Sequence, residues 1–252
     1  MNRDERVTLA AYRCLYPDAV VVGGATVLRS SEAPDSPMLN RIVGLGRNAP
    51  ATEAGLDQAL AAIGDDVTCY VSLAPGAEPA ALEHWVRARG LEPGWGWMAF
   101  RRGVADGPTA RTSLRLVEVD DDSAQAFGRV VATGYGLPPA TVDVCAGAHR
   151  LGWDCWLALD GDEPAAAAAM YTAERAGYLG FAATLPEHRG KGAQTALLAA
   201  RIRLALERGC DALLTETGEL RDGLPSNSYR NIRRAGFEEV AVTANWLRPA
   251  RQ

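Results

Sequence analysis

The sequence lacks an apolar run long enough to cross a membrane. Its longest uninterrupted apolar stretch, Ala165–Tyr171, has 7 residues, whereas a spanning helix needs about 20. The first residues, Met1 to Arg6, lead into no apolar segment of the kind that a secretory signal contains. We therefore expect a cytoplasmic protein with no membrane partner.

Residues that bind metals or form disulfides are few and scattered. Only 3 histidines and 5 cysteines occur. No cysteines form a CxxC pair and no histidines have metal-ligand spacing, which disfavours a zinc site and a disulfide framework. The sequence also has no GxSxG elbow, which disfavours a serine hydrolase. We expect no metal and reduced, buried cysteines.

Excess positive charge is also missing. The 26 basic and 31 acidic residues give a net charge of −5, and the two signs alternate along the chain. Because a nucleic-acid-binding surface needs a basic patch, we expect no nucleic-acid partner.

The length of 252 residues fits one large domain or two small ones. A polar, turn-forming stretch at 104–111 separates two segments with apolar periodicity. The sequence therefore predicts one domain over residues 1–104 and a second over residues 112–252.

The second half alternates strand and helix patterns. Strands are predicted at 114–119, 154–160, 165–173, 177–185 and 210–216, with a last strand ending at Leu247. Helices are predicted near 122–134, 139–149, 190–208 and 226–235, the last two closed by Gly209 and Gly236. This order predicts an α/β (α+β) fold with a mixed β-sheet flanked by helices.

The first half repeats part of this order. Predicted helix 52–63, strand 67–74 and helix 79–89 can be laid against helix 190–208, strand 210–216 and helix 226–235. The segment Arg87–Leu91 then aligns with Arg233–Phe237, with the first arginine and the glycine identical. A duplication explains the match, although helices often end in glycine and two α/β segments can align loosely by chance.

The segment from Leu185 to Leu198 carries the chemistry. It reads LPEHRGKGAQTALL, directly after a predicted strand and at the start of a predicted helix. Two glycines let backbone N–H groups converge on an anion, and a helix start adds unpaired donors and partial positive charge. Arg189 and Lys191, the only lysine in the chain, add charge. The segment predicts a phosphate-binding loop, whereas a glycine-rich turn alone would be weak evidence.

This segment resembles the signature of the GNAT superfamily of acyl-CoA-dependent N-acetyltransferases, Arg/Gln-x-x-Gly-x-Gly/Ala after the fourth strand. The final small residue of that signature is Gln194 here. The resemblance extends over about 114–247 and implies a GNAT fold, with two GNAT-like domains in tandem and a degenerate first one. It implies that acetyl-CoA is the cosubstrate. Its binding residues would be the loop and strand residues Ala182, Ala183, Thr184, Arg189, Gly190, Lys191, Gly192, Ala193, Gln194 and Thr195, together with Asn227.

The resemblance leaves the catalytic groups open. Many family members have a tyrosine four residues before the Gly-Phe pair as general acid, and that position here is Ile232. Tyr229 and Ser228 are the nearest hydroxyls. Candidate bases are Glu216 and Glu174, with water as the alternative. His188 is interpreted as a solvated loop residue.

The function that the resemblance implies is transfer of an acetyl group to an amine. A small-molecule amine is the first candidate acceptor and a protein amino group the second. The alternative is a non-catalytic acyl-CoA-binding or regulatory protein. A literal match to the signature at Arg41–Gly46 is interpreted as a strand, with Thr52 capping the next helix. Trp95 and Trp97 are interpreted as one face of a strand, with a substrate groove as the alternative.

Overall fold

A computed structural model describes residues 1–220, 222–224 and 226–251. Its α-helices are α1 (Arg3–Arg13), α2 (Glu53–Ile63), α3 (Leu82–Ala88), α4 (Ala124–Tyr135), α5 (Val142–Ala146), α6 (Ala193–Glu207) and α7 (Asn227–Arg234). Its strands are β1 (Val20–Val22), β2 (Ala25–Leu28), β3 (Arg41–Val43), β4 (Cys69–Leu73), β5 (Glu92–Pro93), β6 (Trp97–Arg102), β7 (Arg115–Glu118), β8 (Trp153–Asp160), β9 (Glu163–Ala173), β10 (Ala176–Thr184), β11 (Ala212–Gly218) and β12 (Glu238–Arg248). Short 3₁₀ turns cover Pro139–Thr141, Gly147–Leu151 and Pro186–His188.

The chain divides into two compact units. The first comprises Met1–Ala99 and Ala241–Gln252, and the second comprises Phe100–Val240. The sequence-based division at 104–111 lies a few residues after the first of these boundaries. It does not anticipate that the last residues of the chain belong to the first unit, because a strand pattern carries no information about the sheet that the strand joins.

The first unit is built on a mixed sheet. β1, β2 and β3 pair antiparallel, β3 and β4 pair parallel, and β4 pairs antiparallel with Ala244–Arg248 of β12. Short β5 pairs with β12 on residues Trp246 and Leu247. The core combines buried side chains of the sheet, such as Ile42 and Val71, with Leu56 and Ile63 of α2.

The second unit carries a longer mixed sheet in the order β7-β8-β9-β10-β11. β7, β8, β9 and β10 pair antiparallel, whereas β10 and β11 pair parallel. The run of alanines in β9 is fully buried, as expected for a strand covered on both faces. The predicted mixed sheet with flanking helices is confirmed.

Each unit contains one segment with the same order of strands and helices. β3-α2-β4-α3 in the first unit and β10-α6-β11-α7 in the second each join a parallel strand pair through a helix. Both second helices end in a Schellman motif: Leu91 N–H donates to Val86 O at 3.2 Å, and Phe237 N–H to Ile232 O at 3.3 Å. The glycine before each hydrophobic residue has positive φ, +76° at Gly90 and +83° at Gly236.

Most predicted elements of the second half are confirmed, but the predicted helix 139–149 is the short α5 between two 3₁₀ turns, and the start of α6 is shifted. The prediction begins the helix at 190, but α6 begins at Ala193. Gly190 and Gly192 both have φ of +81°, which is incompatible with right-handed helix. The loop is therefore longer than the glycine spacing suggested.

In the first half, the strand predicted at Arg41–Gly46 is confirmed only over Arg41–Val43, and the cap at Thr52 is confirmed. The Thr52 hydroxyl accepts a hydrogen bond from Gly55 N–H at 3.0 Å. The prediction of Leu45 as a strand residue is wrong, because it lies in a turn, fully buried. Helix α1, which Asn2 and Glu5 start with a capping box, was not predicted, and neither was the β1–β2 hairpin.

Four of the five cysteines are buried and Cys14 is half-buried, and none is in a disulfide. Across the described residues, no His, Cys, Asp and Glu side chains form a group of three or more that could hold a metal ion. Among the helices of those residues, none has the length and apolar character that crossing a membrane requires.

A glycine contact in the first unit gives a stability prediction. Gly23 and Gly24 form the β1–β2 turn with φ of +60° and +81°, but only Gly23 packs on α2, where an added Cβ would lie 2.0 Å from Gly55 O. Gly23→Ala should lower the free energy of unfolding by more than about 2 kcal/mol, and Gly24→Ala by only the left-handed strain of about 1 kcal/mol. Denaturant unfolding checks this, and equal losses would contradict the packing argument.

Candidate active site

A groove of about 690 Å³ lies within the second unit. Its lining comes from the end of β10, the following loop, the start of α6 and one face of α7. The described lining residues are Gly134, Ala182, Ala183, Thr184, His188, Arg189, Gly190, Gly192, Ala193, Gln194, Thr195, Ser226, Asn227, Ser228, Arg230, Asn231 and Arg234.

The groove begins where β10 and β11 part. Their parallel register runs from Ala176–Ala212 to Leu179–Thr215 and does not continue further among the described residues. β10 has a bulge at this point, because its register with β9 shifts between Gly180 and Ala183, and Phe181 has a φ of +54°. The edge of β10 that carries Ala182–Thr184 therefore faces the groove instead of a neighbouring strand.

The start of α6 forms the second wall of the groove. Gly192 is its N-cap, and no side chain caps the helix, so the first N–H groups and the positive end of the helix dipole are available to an anion. The two loop glycines differ in their surroundings. A Cβ on Gly192 would lie 2.6 Å from Arg111 O, whereas a Cβ on Gly190 would meet nothing within 4 Å.

Lys191 does not line the groove, although the sequence predicted it as a phosphate-binding residue. Its ammonium pairs with Asp160, and His188 Nδ1 lies 3.1 Å from the same carboxylate oxygen. The Lys191 ammonium is the main cause that holds the pKa of Asp160 below its usual value, and the His188 hydrogen bond adds to it. His188 is half-buried and tied to Asp160, which differs from the predicted solvated loop residue.

The electrostatics of the groove favour an anion. Arg189, Arg230 and Arg234 line it, and no carboxylate occurs among its described lining residues. Arg189 and Arg234 are exposed, and their side chains make no hydrogen bond or ion pair with any described residue. Because neither charge is neutralised by the protein, the groove carries a positive potential.

Gln194 has a structural role where the signature has a small residue. Its Nε2 donates to Thr184 Oγ1 at 3.0 Å, which links the start of α6 to the end of β10. The larger side chain is therefore used to join the two walls of the groove.

Tyr229 does not line the groove, which argues against its predicted role as general acid. It is 4% exposed, and its ring packs edge-on against Phe100 with centroids 4.9 Å apart. Its hydroxyl is buried and has no partner in hydrogen-bond geometry among the described residues. Burial first, and then the nearby Glu239 carboxylate, raise the pKa of Tyr229 to about 12. Helical periodicity explains the placement, since Tyr229 and Ile232 form the buried face of α7.

The other polar candidates lie in different places. Ser228 and Asn227 line the groove in the first turn of α7. Glu216 is half-buried and follows Thr215, the last β11 residue in register with β10. Glu174 lies in the tight β9–β10 turn, at the far end of β10 from Ala182, a separation of roughly 20 Å at about 3.3 Å per residue. That distance excludes Glu174 as a base acting in the groove.

Sequence reasoning missed three polar lining residues of α7: Arg230, Asn231 and Arg234. The signal for them was present in the helical period, because residues 227, 230, 231 and 234 fall on one face of a helix whose opposite face carries Tyr229 and Ile232.

The sequence pattern of the acetyltransferase (GNAT) family matches residues 134–223. No curated protein is similar enough in sequence to count as a relative.

Solved structures resemble the chain over nearly its whole length. A GCN5-related N-acetyltransferase from Kribbella flavida has a TM-score of 0.66 at 20% identity and covers 99% of this chain and 96% of its own. A GNAT-family acetyltransferase, described as putative, from Novosphingobium aromaticivorans has 0.61 at 17%, covering 93% and 92%. A tandem GNAT protein from the clavulanic acid biosynthesis pathway has 0.63 at 16%, covering 97% and 87%.

Likeness at these identities shows the fold, which is the GNAT fold. The family match, at residues 134–223, lies within the second unit.

The position of Tyr229 predicts an effect on stability. Tyr229→Phe removes a buried hydroxyl without a partner, so the free energy of unfolding should stay unchanged or rise by up to about 1 kcal/mol. Tyr16→Phe is the matched control, because the Tyr16 hydroxyl donates to Leu39 O at 2.8 Å, and its loss should cost about 1 kcal/mol. Chemical denaturation of both variants measures this. A clear loss of stability in Tyr229→Phe would show that its hydroxyl is bonded.

Proposed function

We propose that the chain transfers an acetyl group from acetyl-CoA to an amine, and that the groove of the second unit binds the CoA. One observation carries the proposal: the uncapped start of α6, with its two left-handed glycines, faces a groove lined by three arginines and by no described carboxylate.

The pyrophosphate of CoA fits the loop from Arg189 to Thr195. Backbone N–H groups at the start of α6 and the Arg189 side chain would bind it, with Arg230 and Arg234 adding charge from the facing helix. Lys191 would act indirectly, since its ion pair with Asp160 holds the loop. The space around Gly190 leaves the backbone open to a phosphate.

The pantetheine arm would lie along Ala182–Thr184. This edge has lost its β11 neighbour, so its backbone groups can pair with the amides of an extended ligand, as an added strand would. Asn227, which lines the groove at the start of α7, would give the arm a second polar contact.

In the transfer, the amine nitrogen forms a bond to the thioester carbonyl carbon, the carbon–sulfur bond breaks, and the sulfur leaves as thiolate. The amine must lose a proton. Glu216, just beyond the last paired residues of β10 and β11 but outside the described lining of the groove, is the proposed acceptor through water. The thiolate has a pKa near that of a free thiol, about 8.5, so its protonation assists the reaction without being indispensable. Ser228, which lines the groove, or water would supply that proton.

The first unit is proposed to be a degenerate copy of the second. Its loop after β3 also has two left-handed glycines, Gly44 and Gly46, but its own chain fills the space. Gly46 O accepts from Glu78 N–H at 2.9 Å, and Ala51 N–H donates to Glu78 O at 2.7 Å. A Cβ on Gly46 would lie 2.4 Å from Glu78 O, which leaves no room for a phosphate.

A non-catalytic acyl-CoA-binding role is the second candidate. It is favoured by the absence of a hydroxyl at Ile232 and by the burial of Tyr229. Thiol release from acetyl-CoA over a panel of amines separates the two, with small-molecule amines tested first and a peptide amino group second. A binding protein would take up CoA and release no thiol.

Gly190→Asp tests the loop assignment. A carboxylate at this open position should weaken CoA binding at least about tenfold through repulsion of the phosphates, with the fold intact by circular dichroism. Gly209→Asp is the control, because Gly209 has φ of +67° and equally open surroundings at the other end of α6. Calorimetric titration with CoA measures both. Equal affinities in the two variants would remove the loop from the proposal.

Glu216→Gln tests the base. If Glu216 accepts the amine proton, turnover at neutral pH should fall by about 10² or more, the usual contribution of a general base, with CoA affinity unchanged. The deficit should shrink as pH rises, because a deprotonated amine needs no base. Tyr229→Phe should remain within about threefold of the unaltered chain in the same assay. A deficit that is constant with pH would point to a structural effect of the substitution.

A further inference from the structure

Arg201 of α6 is a charged side chain in the core of the second unit. It is 1% exposed and forms no ion pair with any described residue. Its donors go to backbone carbonyls instead: Nε to Leu197 O at 3.0 Å, and Nη1 to Ala169 O at 3.3 Å and Gly180 O at 3.4 Å. Burial lowers the pKa of Arg201 to about 10, so it remains charged at neutral pH.

Stability does not account for this arginine. Burial of a cation without a counter-ion has an effective penalty of several kcal/mol, which carbonyl hydrogen bonds offset only in part. The neighbouring buried positions of α6, Leu198, Ile202 and Ala205, are apolar, so an apolar side chain of similar size suits the helix face. A costly group at one position suggests that it is retained for function.

The location of Arg201, beside the bulge of β10, indicates what that function is. Nη1 donates to the carbonyls of Ala169 and Gly180, two residues that are register partners on β9 and β10. Gly180 is the last regular position before the bulge, Phe181 is in the left-handed region, and Ala182 lines the groove. Arg201 thus holds both strands at the point where the site opens.

The planar trans peptide links this contact to the chemistry. When Arg201 holds the Gly180 carbonyl, the N–H of Phe181 must point the opposite way. Phe181 lies outside the register of β10 with β9, which shifts between Gly180 and Ala183, and beyond its register with β11, which ends at Leu179, so its N–H is the backbone donor that the bulge frees. When an amine attacks the thioester carbonyl carbon, an electron pair moves onto the carbonyl oxygen, and fixed donors stabilise this charge without reorganisation.

Resting on the proposed function, we infer that Arg201 is a positioning residue for the acyl transfer. It fixes the Gly180–Ala182 bulge so that its backbone donors meet the thioester oxygen, and it contributes little to folding or to CoA affinity.

Arg201→Met removes the charge and keeps most of the volume. The expected result is a fall in kcat of about tenfold or more, since loss of a single oxyanion donor costs about 10² to 10³, with CoA affinity within threefold and stability unchanged or higher. Arg201→Lys should recover part of kcat. Arg203→Met, an exposed change of the same kind on α6, should leave kcat unchanged.

A second readout needs no turnover. The infrared carbonyl stretch of bound [¹³C]acetyl-CoA should lie at lower frequency in the unaltered chain than in Arg201→Met, because donors polarise the carbonyl. Unchanged kcat and an unshifted band in Arg201→Met overturn the inference, and so does a parallel fall in stability, kcat and affinity. If the unaltered chain binds acetyl-CoA without turnover, the proposed acetyl transfer is overturned. A shifted band in Arg201→Met would then still support the positioning role of Arg201. Absence of binding overturns both.

Discussion

The separation of β10 from β11 after Leu179 and Thr215 is the constraint on which the site depends. While the two strands are paired, their backbone groups satisfy each other and no ligand can enter. Beyond this point the bulge at Phe181 turns β10 away, and the freed edge becomes one wall of the groove. The start of α6 and the face of α7 are placed beside that edge by the βαβ connection, so all three walls follow from one break in the sheet.

The first unit has the same order of elements, but the loop after β3 is hydrogen-bonded differently. β3 and β4 are parallel, α2 follows β3, and two glycines adopt left-handed conformations between them. Thr52 caps α2, and Glu78 occupies the turn at Gly46. A backbone donor that already binds another group of the protein cannot bind a ligand. The difference between the two loops is therefore whether the donors are already satisfied, and glycine content alone does not reveal it.

The sequence predicted what depends on local pattern. Strand and helix order in the second unit, the mixed sheet and the position of the glycine loop follow from periodicity and from glycines at helix ends. Features that depend on side-chain direction were missed or misassigned. Tyr229 and Ser228 are adjacent, but one enters the core and the other lines the groove. Lys191 belongs to the loop, yet Asp160, on a strand 31 residues earlier, determines where its ammonium lies. Such partners are not visible to a local pattern.

Arg201 shows the same limit from the opposite direction. Arginine side chains are mostly exposed in proteins, and the sequence analysis made no prediction for Arg201, which is buried within the Ala/Leu helix α6. In the structure its guanidinium is buried and donates to the carbonyls of Ala169 on β9 and Gly180 on β10, next to the bulge. An apolar residue at position 201 would be buried at a lower cost in free energy, but it would leave the Gly180 carbonyl without this donor. The opening of the sheet and the buried charge therefore belong together. Burial of the Arg201 cation is unfavourable in free energy, and the same side chain fixes the backbone geometry beside the groove.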